Sequence, residues 1–213
     1  MFEWIHWLYN SPIMKLEVII ATFLVLLVFT FCVIKIVLLY KQIQRLKMAR
    51  DGEKIVAEEL QVLISQGAAI LHDVQGNKFN IDHIVVSDHG VFVVETKTFS
   101  KPAKKNSKIY VNGKKILIDG ITITRDPVEQ SCALSKWVQE LLQKSTGKTF
   151  SIKPVILFPG WFVEPMKSYQ DFWVLNPKAL PTFIGNEPKN ISDSDVHLIT
   201  FHLSRYIRTY KPS

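Results

Sequence analysis

Hydrophobic and polar residues follow a two-residue period along two neighbouring segments, 80–86 and 91–97. Both segments are rich in β-branched and aromatic residues, and a polar Ser-Asp-His-Gly cluster separates them. This pattern predicts two antiparallel strands joined by a tight turn. A two-residue loop at Asp88-His89 sets a register that places Asp82 opposite Glu95.

The predicted hairpin brings charged side chains onto one patch. Side chains alternate between the two faces of a strand, so Lys97 shares a face with Glu95. Opposed carboxylates repel each other, and a divalent cation held by Asp82 and Glu95 would resolve that conflict. The alternative is a one-residue shift of the turn, which would send Asp82 to the other face and leave Glu95 and Lys97 as a surface pair.

Two predicted helices carry further polar residues toward the core. Residues 42–66 have a helical period that places Glu53 inside an apolar sector formed by Val56, Ala57, Leu60, Leu63 and Ile64. The second helix is predicted to begin at Asp126-Pro127, and Gln130 lies on its apolar stripe of Ala133, Leu134, Trp137 and Leu141. Together with the hairpin charges, these residues are typical of metal-assisted phosphodiester hydrolysis.

The amino-terminal region predicts a membrane span. Residues 18–40 are almost entirely apolar and would form a helix of about 34 Å, against a hydrocarbon core of ~30 Å. A cleaved signal peptide would have a shorter apolar core followed by small residues, and a buried helix of a soluble protein is the other alternative. We therefore expect a short extracytoplasmic segment at 1–17, a transmembrane helix at 18–40 and one domain at 41–213.

Flanking charges predict the orientation of the span. Lys15 is offset by Glu3 and Glu17 on the amino-terminal side, whereas the other flank carries five basic residues, Lys41, Arg45, Lys47, Arg50 and Lys54. By the positive-inside rule the amino terminus lies outside and the carboxy-terminal domain is cytoplasmic, at the inner membrane if the source is bacterial. The two cysteines, Cys32 and Cys132, form no disulfide framework, which agrees with that compartment.

The remaining pattern predicts a mixed sheet between helices. Strands are expected near 69–74, at Lys153–Phe158 and at Phe172–Leu175, with a closing helix from about Ser192. Asn112-Gly113 predicts a type I′ hairpin turn between 109–111 and 115–118. Strands flanked by helices on both sides define an α/β fold.

A run of lysines supplies a candidate surface for polyanions. The chain has a net charge of +7, and the segment 101–115 contains six lysines and no acidic residue. Such a segment suits sequence-independent, salt-sensitive contacts to nucleic-acid phosphates. A solvated loop or attraction to anionic lipid headgroups are the alternatives. The lysines are Lys101, Lys104, Lys105, Lys108, Lys114 and Lys115.

Four motifs together resemble the nuclease-related domain family, a branch of the PD-(D/E)XK nuclease superfamily. They are Gly52-Glu53, Asn80-Ile81-Asp82-His83, Gly90 to Lys97 with its Glu-Thr-Lys ending, and Asp126-Pro127-Val128-Glu129-Gln130. The resemblance covers roughly residues 49–142 and implies a restriction-endonuclease-like mixed sheet flanked by helices. Ile81 stands where the superfamily name has proline, and the nuclease-related branch commonly has isoleucine there.

The resemblance also implies roles for individual residues. Asp82 and Glu95 are similar to the metal-binding carboxylates, with the backbone carbonyl of Thr96 as a third ligand and Glu53 as a helix-borne acid near the metal. Lys97 resembles the residue that orients or deprotonates the attacking water and offsets charge on the phosphate. Gln130 resembles the polar residue that steadies the site. Oxygen ligands without clustered cysteine or histidine favour Mg²⁺ or Mn²⁺.

The leading hypothesis is therefore a membrane-anchored, metal-dependent nuclease that hydrolyses phosphodiester bonds of nucleic acid, DNA rather than RNA, at the cytoplasmic face. A catalytically silent, membrane-tethered module that binds nucleic acid or protein is the alternative. A third hypothesis is a membrane protein whose hairpin charges are structural. A homodimer would bring two sites to the two strands of a duplex, and the sequence leaves the oligomeric state open.

Overall fold

The computed structural model describes residues 12–99, 107–123, 126–165 and 171–210. It divides into two compact units, Met1–Lys47 and Met48–Ser213. The helices are α1 (Pro12–Ser65), α2 (Pro127–Thr146), α3 (Leu180–Gly185) and α4 (Asp193–Thr209), and a 3-10 turn spans Pro177–Ala179. The strands are β1 (Ala69–Gly76), β2 (Phe79–Ser87), β3 (Gly90–Thr96), β4 (Lys108–Asn112), β5 (Lys115–Ile118), β6 (Ile121–Thr122), β7 (Ile152–Leu157), β8 (Phe162–Val163) and β9 (Trp173–Leu175).

In the described residues, the first unit consists of the amino-terminal, largely apolar part of α1. The most apolar stretch of this helix has a mean hydropathy of 2.8, and its side chains are not buried by the rest of the protein. The hydroxyls of Thr22 and Thr30 donate to the carbonyls of Val18 and Leu26, each at 2.7 Å, so these polar groups are satisfied inside the helix. By length and composition this helix is a candidate membrane span, as the sequence predicts. The predicted span and the helix predicted at 42–66 form one continuous helix, α1, which ends at Ser65.

The second unit contains a five-stranded mixed sheet in the order β1-β2-β3-β7-β9. β1, β2 and β3 are antiparallel neighbours, whereas β7 runs parallel to both β3 and β9. Antiparallel neighbours need only short turns, while the parallel β3–β7 pair needs a long crossover, and α2 lies within that crossover. The mixed α/β fold predicted from the sequence is confirmed.

Helices cover both faces of this sheet. Val56, Leu60 and Leu63 of α1 pack with α3 on one face, against residues such as Val85 and Phe92. On the other face, Leu134 and Val138 of α2 pack together with α4 against Val91 and Val93. Burial of each large apolar side chain contributes about 1.5–3 kcal/mol, so these two clusters hold the sheet between its helices.

A smaller sheet follows β3 along the chain. Its strand order is β6-β5-β4-β8, with β4 parallel to β8. Ile109 and Ile116 face inward, where they pack with Val128 of α2 and with Phe158 and other residues around β7 and β9. The predicted β4–β5 hairpin is present, but its two-residue loop is Gly113-Lys114, since Asn112 pairs with Lys115. A type I′ turn needs positive φ at both loop residues, and among the described residues Gly113 has it (φ 59°) whereas Lys114 does not, so the loop differs from the type I′ turn predicted at Asn112-Gly113.

Helix termini agree with the capping signals in the sequence. Asp126 caps α2, because its carboxylate accepts hydrogen bonds from the backbone N–H groups of Val128 and Glu129 at 3.0 and 3.3 Å. Ser192 caps α4 through the N–H of Asp195 at 3.2 Å. Each cap contributes about 1 kcal/mol and fixes where its helix begins.

Candidate functional site

The β2–β3 hairpin has the register that the sequence predicts. Ser87 pairs with Gly90 at the turn, and the ladder continues to His83 opposite Val94. The next pair of positions in this register is Asp82 and Glu95. The backbone N–H of Thr96 then donates to Oδ2 of Asp82 at 2.8 Å, which closes the open end of the hairpin around the aspartate. The one-residue shift of the turn is therefore wrong.

Glu95 is the buried centre of this site. Its side chain is almost completely buried, with the residue 2% exposed. Oε2 accepts a hydrogen bond from Nζ of Lys97 at 3.2 Å, whereas the buried Oε1 has no hydrogen-bond partner among the described residues. Burial, reinforced by the Asp82 charge, raises the pKa of the Glu95 carboxyl, and Lys97 opposes that rise. The site thus contains one buried carboxyl oxygen without a hydrogen-bond partner among the described residues, close to the charge of Asp82.

Lys97 connects the hairpin to α2. Its backbone N–H donates to the carbonyl of Leu157 at 2.8 Å, which fixes the main chain beside β7. Nζ lies between Oε2 of Glu95 and Oε1 of Gln130, at 3.2 and 3.4 Å. Gln130 is within the first turn after the Asp126 cap, so the cap determines which α2 side chain reaches Lys97. The structure therefore brings together four of the predicted residues.

Gln130 reaches the site from the rim of the helix, not from its buried stripe as predicted. The residue is exposed, and so is Ala133, which the sequence pattern places on the stripe. The shift arises because α2 packs against two strands of the large sheet and also against the small sheet, so small polar residues lie at its centre. The buried positions of α2 are Pro127, Val128, Ser131, Leu134, Ser135, Val138 and Leu142.

Glu53 differs from the prediction more clearly. It is exposed, as are Ala57 and Ile64, because the buried stripe of α1 is narrower than the predicted sector and runs through Gly52, Val56, Leu60 and Leu63. Gly52 is buried against the segment after β3, and a Cβ there would lie 2.4 Å from Cγ2 of Thr98. The backbone of α1 therefore closely approaches the end of the Lys97 strand, while the carboxylate of Glu53 stays at the surface.

Two side-chain carboxylates and one backbone carbonyl could supply oxygen ligands to a divalent cation such as Mg²⁺. Within the parts of the chain that the structure describes, no group of three or more His, Cys, Asp and Glu side chains is arranged to hold a metal, so Glu53 does not join the other two carboxylates. Asp82, the unpartnered Oε1 of Glu95 and the Thr96 carbonyl remain as oxygen donors. Mg²⁺ is usually held by one or two carboxylates plus water and substrate phosphate, and this donor set fits that pattern.

The predicted lysines are divided between two situations. Lys101, Lys104 and Lys105 lie outside the described residues. Lys108 is half-exposed and forms an ion pair with Glu164 at 2.8 Å, while Lys114 and Lys115 are exposed at the β4–β5 turn. All three described lysines belong to the small sheet, which packs against the end of α2 that bears Gln130.

Sequence reasoning missed contacts that depend on tertiary structure. The Thr96 N–H that holds Asp82 has no sequence signal, because any residue supplies a backbone amide. The close approach at Gly52 has a weak one, since a glycine within a helical pattern often marks tight packing. Buried hydroxyls without partners among the described residues, on Thr96 and Ser131, also lie close to the site in sequence.

Comparison with known proteins agrees with this architecture. The family model described as the nuclease-related domain matches residues 49–159, slightly more than half of the chain. The chain belongs to the nuclease-related domain family. The matched region includes Glu53, both strands of the hairpin and Gln130.

Other comparisons are more limited. An uncharacterized protein of Bacillus anthracis is 42% identical over 55 residues, which cover 24% of this chain and 26% of that protein. The match thus spans about a quarter of that relative's length. No solved structure matches the chain. Family membership supports a nuclease-like hydrolase in general, and the finer assignment depends on the geometry of the site.

Proposed function

We propose that this protein is a membrane-anchored, metal-dependent nuclease that hydrolyses phosphodiester bonds, those of DNA in particular. The observation that carries the proposal is the buried Oε1 of Glu95, which has no partner among the described residues and lies beside a second carboxylate and a lysine. A folded protein gains no stability from two neighbouring carboxylates whose charges remain unmet. Their arrangement is explained if they hold a cation during function.

The chemistry divides between the cation and the chain. Bound at Asp82, Glu95 and the Thr96 carbonyl, Mg²⁺ or Mn²⁺ would polarise the scissile phosphate and make a bound water more acidic. Lys97 then orients the attacking water and offsets the charge that develops on the phosphate. Gln130 accepts a hydrogen bond from Lys97 and so directs its ammonium group toward Glu95. Thr96 keeps Asp82 in place through its backbone N–H.

The substrate proposal is supported by charge. A net charge of +7 and the exposed lysines of the small sheet favour a polyanion. Nucleic acids are the polyanions whose phosphodiester linkages match the proposed reaction, and we propose DNA as the substrate. Exposed lysines hold phosphates without reading base sequence, so cleavage is expected to show little sequence specificity.

Location follows from α1 and its flanking charges. The apolar helix spans the bilayer once, with the amino terminus outside and the nuclease domain at the cytoplasmic face, because the basic residues cluster after the span. This orientation places the proposed site where cytoplasmic Mg²⁺ and nucleic acid are available. In a bacterium the membrane would be the inner membrane.

A tethered binding module is the second candidate. One observation favours it: Glu53 is exposed, and no third carboxylate joins Asp82 and Glu95 among the described residues. Such a module would bind DNA through its lysines without cutting it. The two candidates therefore differ in a single property, the metal-dependent cleavage of DNA.

The test is a cleavage assay on the full-length chain in detergent micelles, with plasmid and linear DNA in Mg²⁺, in Mn²⁺ and in chelator. We expect cutting in either metal, no cutting in chelator, and a loss of about 100-fold or more in Glu95→Gln. Glu95→Gln keeps the side-chain shape and removes the charge that would hold the metal.

Glu140→Gln is the matched control, because Glu140 is an exposed glutamate on α2 away from the hairpin. It should cleave as the unmodified chain does. Cleavage that survives Glu95→Gln undiminished would refute the nuclease assignment, and DNA binding without any cutting would establish the tethered module instead.

A further inference from the structure

Two histidine side chains face each other at the edge of the large sheet. His72 on β1 and His83 on β2 are directly opposed in the antiparallel register. Their Nδ1 atoms lie 2.9 Å apart, and the two ring planes are nearly perpendicular, at 88°. A neutral imidazole has one nitrogen that carries a proton and one that carries a lone pair, so one Nδ1 donates to the other here. Both Nδ1 atoms are therefore directed at one point between the strands.

The histidine pair lies on the face of the sheet that α1 covers. The adjacent residues along the two strands, Leu71 and Ile84, pack with α2 and α4 on the other face, so the two histidines point away from that face. Val94 of β3, which is opposite His83, packs with α1. His72 is exposed and His83 is half-buried. A solvated ion therefore reaches the pair from the His72 side.

The spacing of the two nitrogens suits a transition-metal ion. Imidazole nitrogen binds Zn²⁺ at about 2.0–2.1 Å, so two nitrogens 2.9 Å apart subtend an angle of roughly 90° at the ion. Neighbouring ligands in the tetragonal geometry of Cu²⁺ and Ni²⁺ are at about this angle. A further separation of about 0.5 Å gives the tetrahedral angle that Zn²⁺ prefers, and rotation of the exposed His72 side chain supplies it. The pair fits cations of this class and not Mg²⁺, which prefers oxygen ligands.

Two aspartates adjoin the pair, since Asp73 follows His72 and Asp82 precedes His83. Burial, and then the charge of His72, lower the pKa of His83, whereas the charges of Asp82 and Asp73 act in the opposite direction. These carboxylates are thus close enough for their charges to attract a cation to the pair. Neither is a third ligand, because within the described ranges no three His, Cys, Asp or Glu side chains are placed to hold a metal. Water would complete the coordination, which makes the site open and exchangeable.

The pair lies where the ladder between β1 and β2 is interrupted. The register passes from His72 opposite His83 to Val74 opposite Ile81 and omits Asp73, whose φ of 50° is in the left-handed region. β1 is also an edge strand, with β2 as its neighbour in the sheet. A metal ion bound by one imidazole from each strand would fasten the edge strand at this interruption.

A hydrogen bond without any metal is the competing explanation for the pair. At a solvent-accessible position such a bond mainly replaces hydrogen bonds to water. It also uses the Nδ1 lone pair of only one ring, since the other ring contributes the proton. A metal ion would bind both Nδ1 atoms at once, with the remaining proton of each ring on Nε2. The convergence of two imidazoles from opposite strands thus favours a metal site.

We infer that His72 and His83 bind one transition-metal cation of the Zn²⁺ class, which clamps the edge strand β1 to β2 at the break in their ladder. The site differs from the carboxylate site in its ligands, because imidazole suits Zn²⁺, Ni²⁺ and Cu²⁺ whereas carboxylate and carbonyl oxygens suit Mg²⁺. The inference goes beyond the proposed function and is independent of it, since binding at the histidines requires no cleavage of DNA.

The test uses Cu²⁺, whose electron paramagnetic resonance spectrum reports bound imidazole nitrogen. One equivalent is added to the full-length chain in detergent micelles, with excess Mg²⁺ to occupy the oxygen donors of Asp82 and Glu95. We expect coupling to two imidazole nitrogens in the unmodified chain. His72→Gln, a change at an exposed position, should leave one nitrogen and weaken the Cu²⁺ affinity about 100-fold, because two linked ligands bind far more tightly than one.

Zn²⁺ tests the clamp itself through thermal unfolding of the same full-length chain. At about ten times its dissociation constant, Zn²⁺ should raise the unfolding midpoint of the unmodified chain by about 3–6 °C, because it binds the folded state alone. The midpoint of His72→Gln should not change at that Zn²⁺ concentration.

His197→Gln is the matched control, because His197 is an exposed histidine on α4, which packs on the other face of the sheet. It should bind Cu²⁺ and respond to Zn²⁺ as the unmodified chain does. Coupling to fewer than two imidazole nitrogens in the unmodified chain, or equal Cu²⁺ affinity in His72→Gln, would mean that the pair is only a hydrogen bond and that the inference is wrong. Zn²⁺ stabilisation that persists in His72→Gln would equally refute the clamp. These readouts do not involve DNA, so failure of the proposed function would leave them unchanged.

Discussion

The two ends of the β2–β3 hairpin hold acidic side chains under opposite conditions. At the turn, Asp88 forms an ion pair with Lys189 at 2.7 Å, and the hydrogen bond from that lysine lowers the pKa of the aspartate. The backbone carbonyl of Asp88 also accepts hydrogen bonds from the N–H groups of Asn190 and Ile191. At the open end of the hairpin, opposite the turn, Glu95 is buried beside Asp82, and burial raises the pKa of the Glu95 carboxyl.

The two ends of the hairpin differ in how the charge of their acidic side chain is compensated. At the turn, the charge of Asp88 is partly exposed to solvent and paired with Lys189, which lies in the loop before α4. This ion pair therefore helps to hold that loop in place. The charge at the open end is only partly compensated by Lys97, since Oε1 has no partner among the described residues. Buried carboxylates with a raised pKa cluster at functional sites, so this contrast marks the Glu95 end of the hairpin, and not the turn, as the candidate site.

The largest expected contrast concerns the two lysines. Lys97→Met removes the ammonium group between Glu95 and Gln130, so cleavage in Mg²⁺ should fall about 100-fold or more. Lys189→Met breaks only the exposed ion pair at the turn, and cleavage should stay within about twofold. The measurement is the initial rate of plasmid cutting by each full-length variant. Equal losses in the two variants would mean that both ends of the hairpin affect activity only through folding.

The second contrast concerns how the stability of the metal-free protein depends on pH. As pH rises, the contribution of Glu95 to stability should fall and that of Asp88 should grow. Because the folded pKa of Glu95 is raised, its stabilising contribution is complete below the ordinary value of 4.5 and is lost as pH rises through the folded pKa. Because the folded pKa of Asp88 is lowered, its contribution is present above 3.8 and is lost as pH falls through the folded pKa.

Thermal unfolding in chelator, followed by tryptophan fluorescence across acidic and neutral pH, measures both effects. Relative to the unmodified chain, Glu95→Gln should become more stable as pH rises above 4.5. Asp88→Asn should be less stable than the unmodified chain at neutral pH, and this difference in stability should shrink as pH falls below 3.8. Parallel stability curves for the two variants would contradict the opposite electrostatics of the two ends.

Local signals predicted the hairpin and the start of α2 correctly. A polar four-residue cluster between two β-branched runs determines a turn through its own chemistry, and the register follows from the loop length. Asp126-Pro127 likewise determines a helix start, because the side chain caps the first N–H groups and proline suits the first turn. Asp82, Glu95 and Lys97 were predictable for this reason.

Features that depend on packing were not predictable from local pattern. Glu53 and Gln130 were assigned to buried faces by ideal helical geometry. The buried stripe of α1 is narrower than predicted and excludes Glu53, and the buried stripe of α2 is shifted by about one position and excludes Gln130. The two-residue strands β6 and β8 are too short to show a period, so they had no sequence signal. The sequence located the charged residues, and tertiary packing decided which of them meet.

Metal binding tests the central claim most directly. Mn²⁺ added to full-length chain in detergent micelles, and followed by electron paramagnetic resonance, should show a bound ion in the unmodified protein and in Asp88→Asn. Glu95→Gln should lose that ion, since it removes the charge of the buried carboxylate whose Oε1 lacks a hydrogen-bond partner among the described residues. Equal Mn²⁺ binding by Glu95→Gln and the unmodified chain would contradict the assignment of the open end of the hairpin as a metal site.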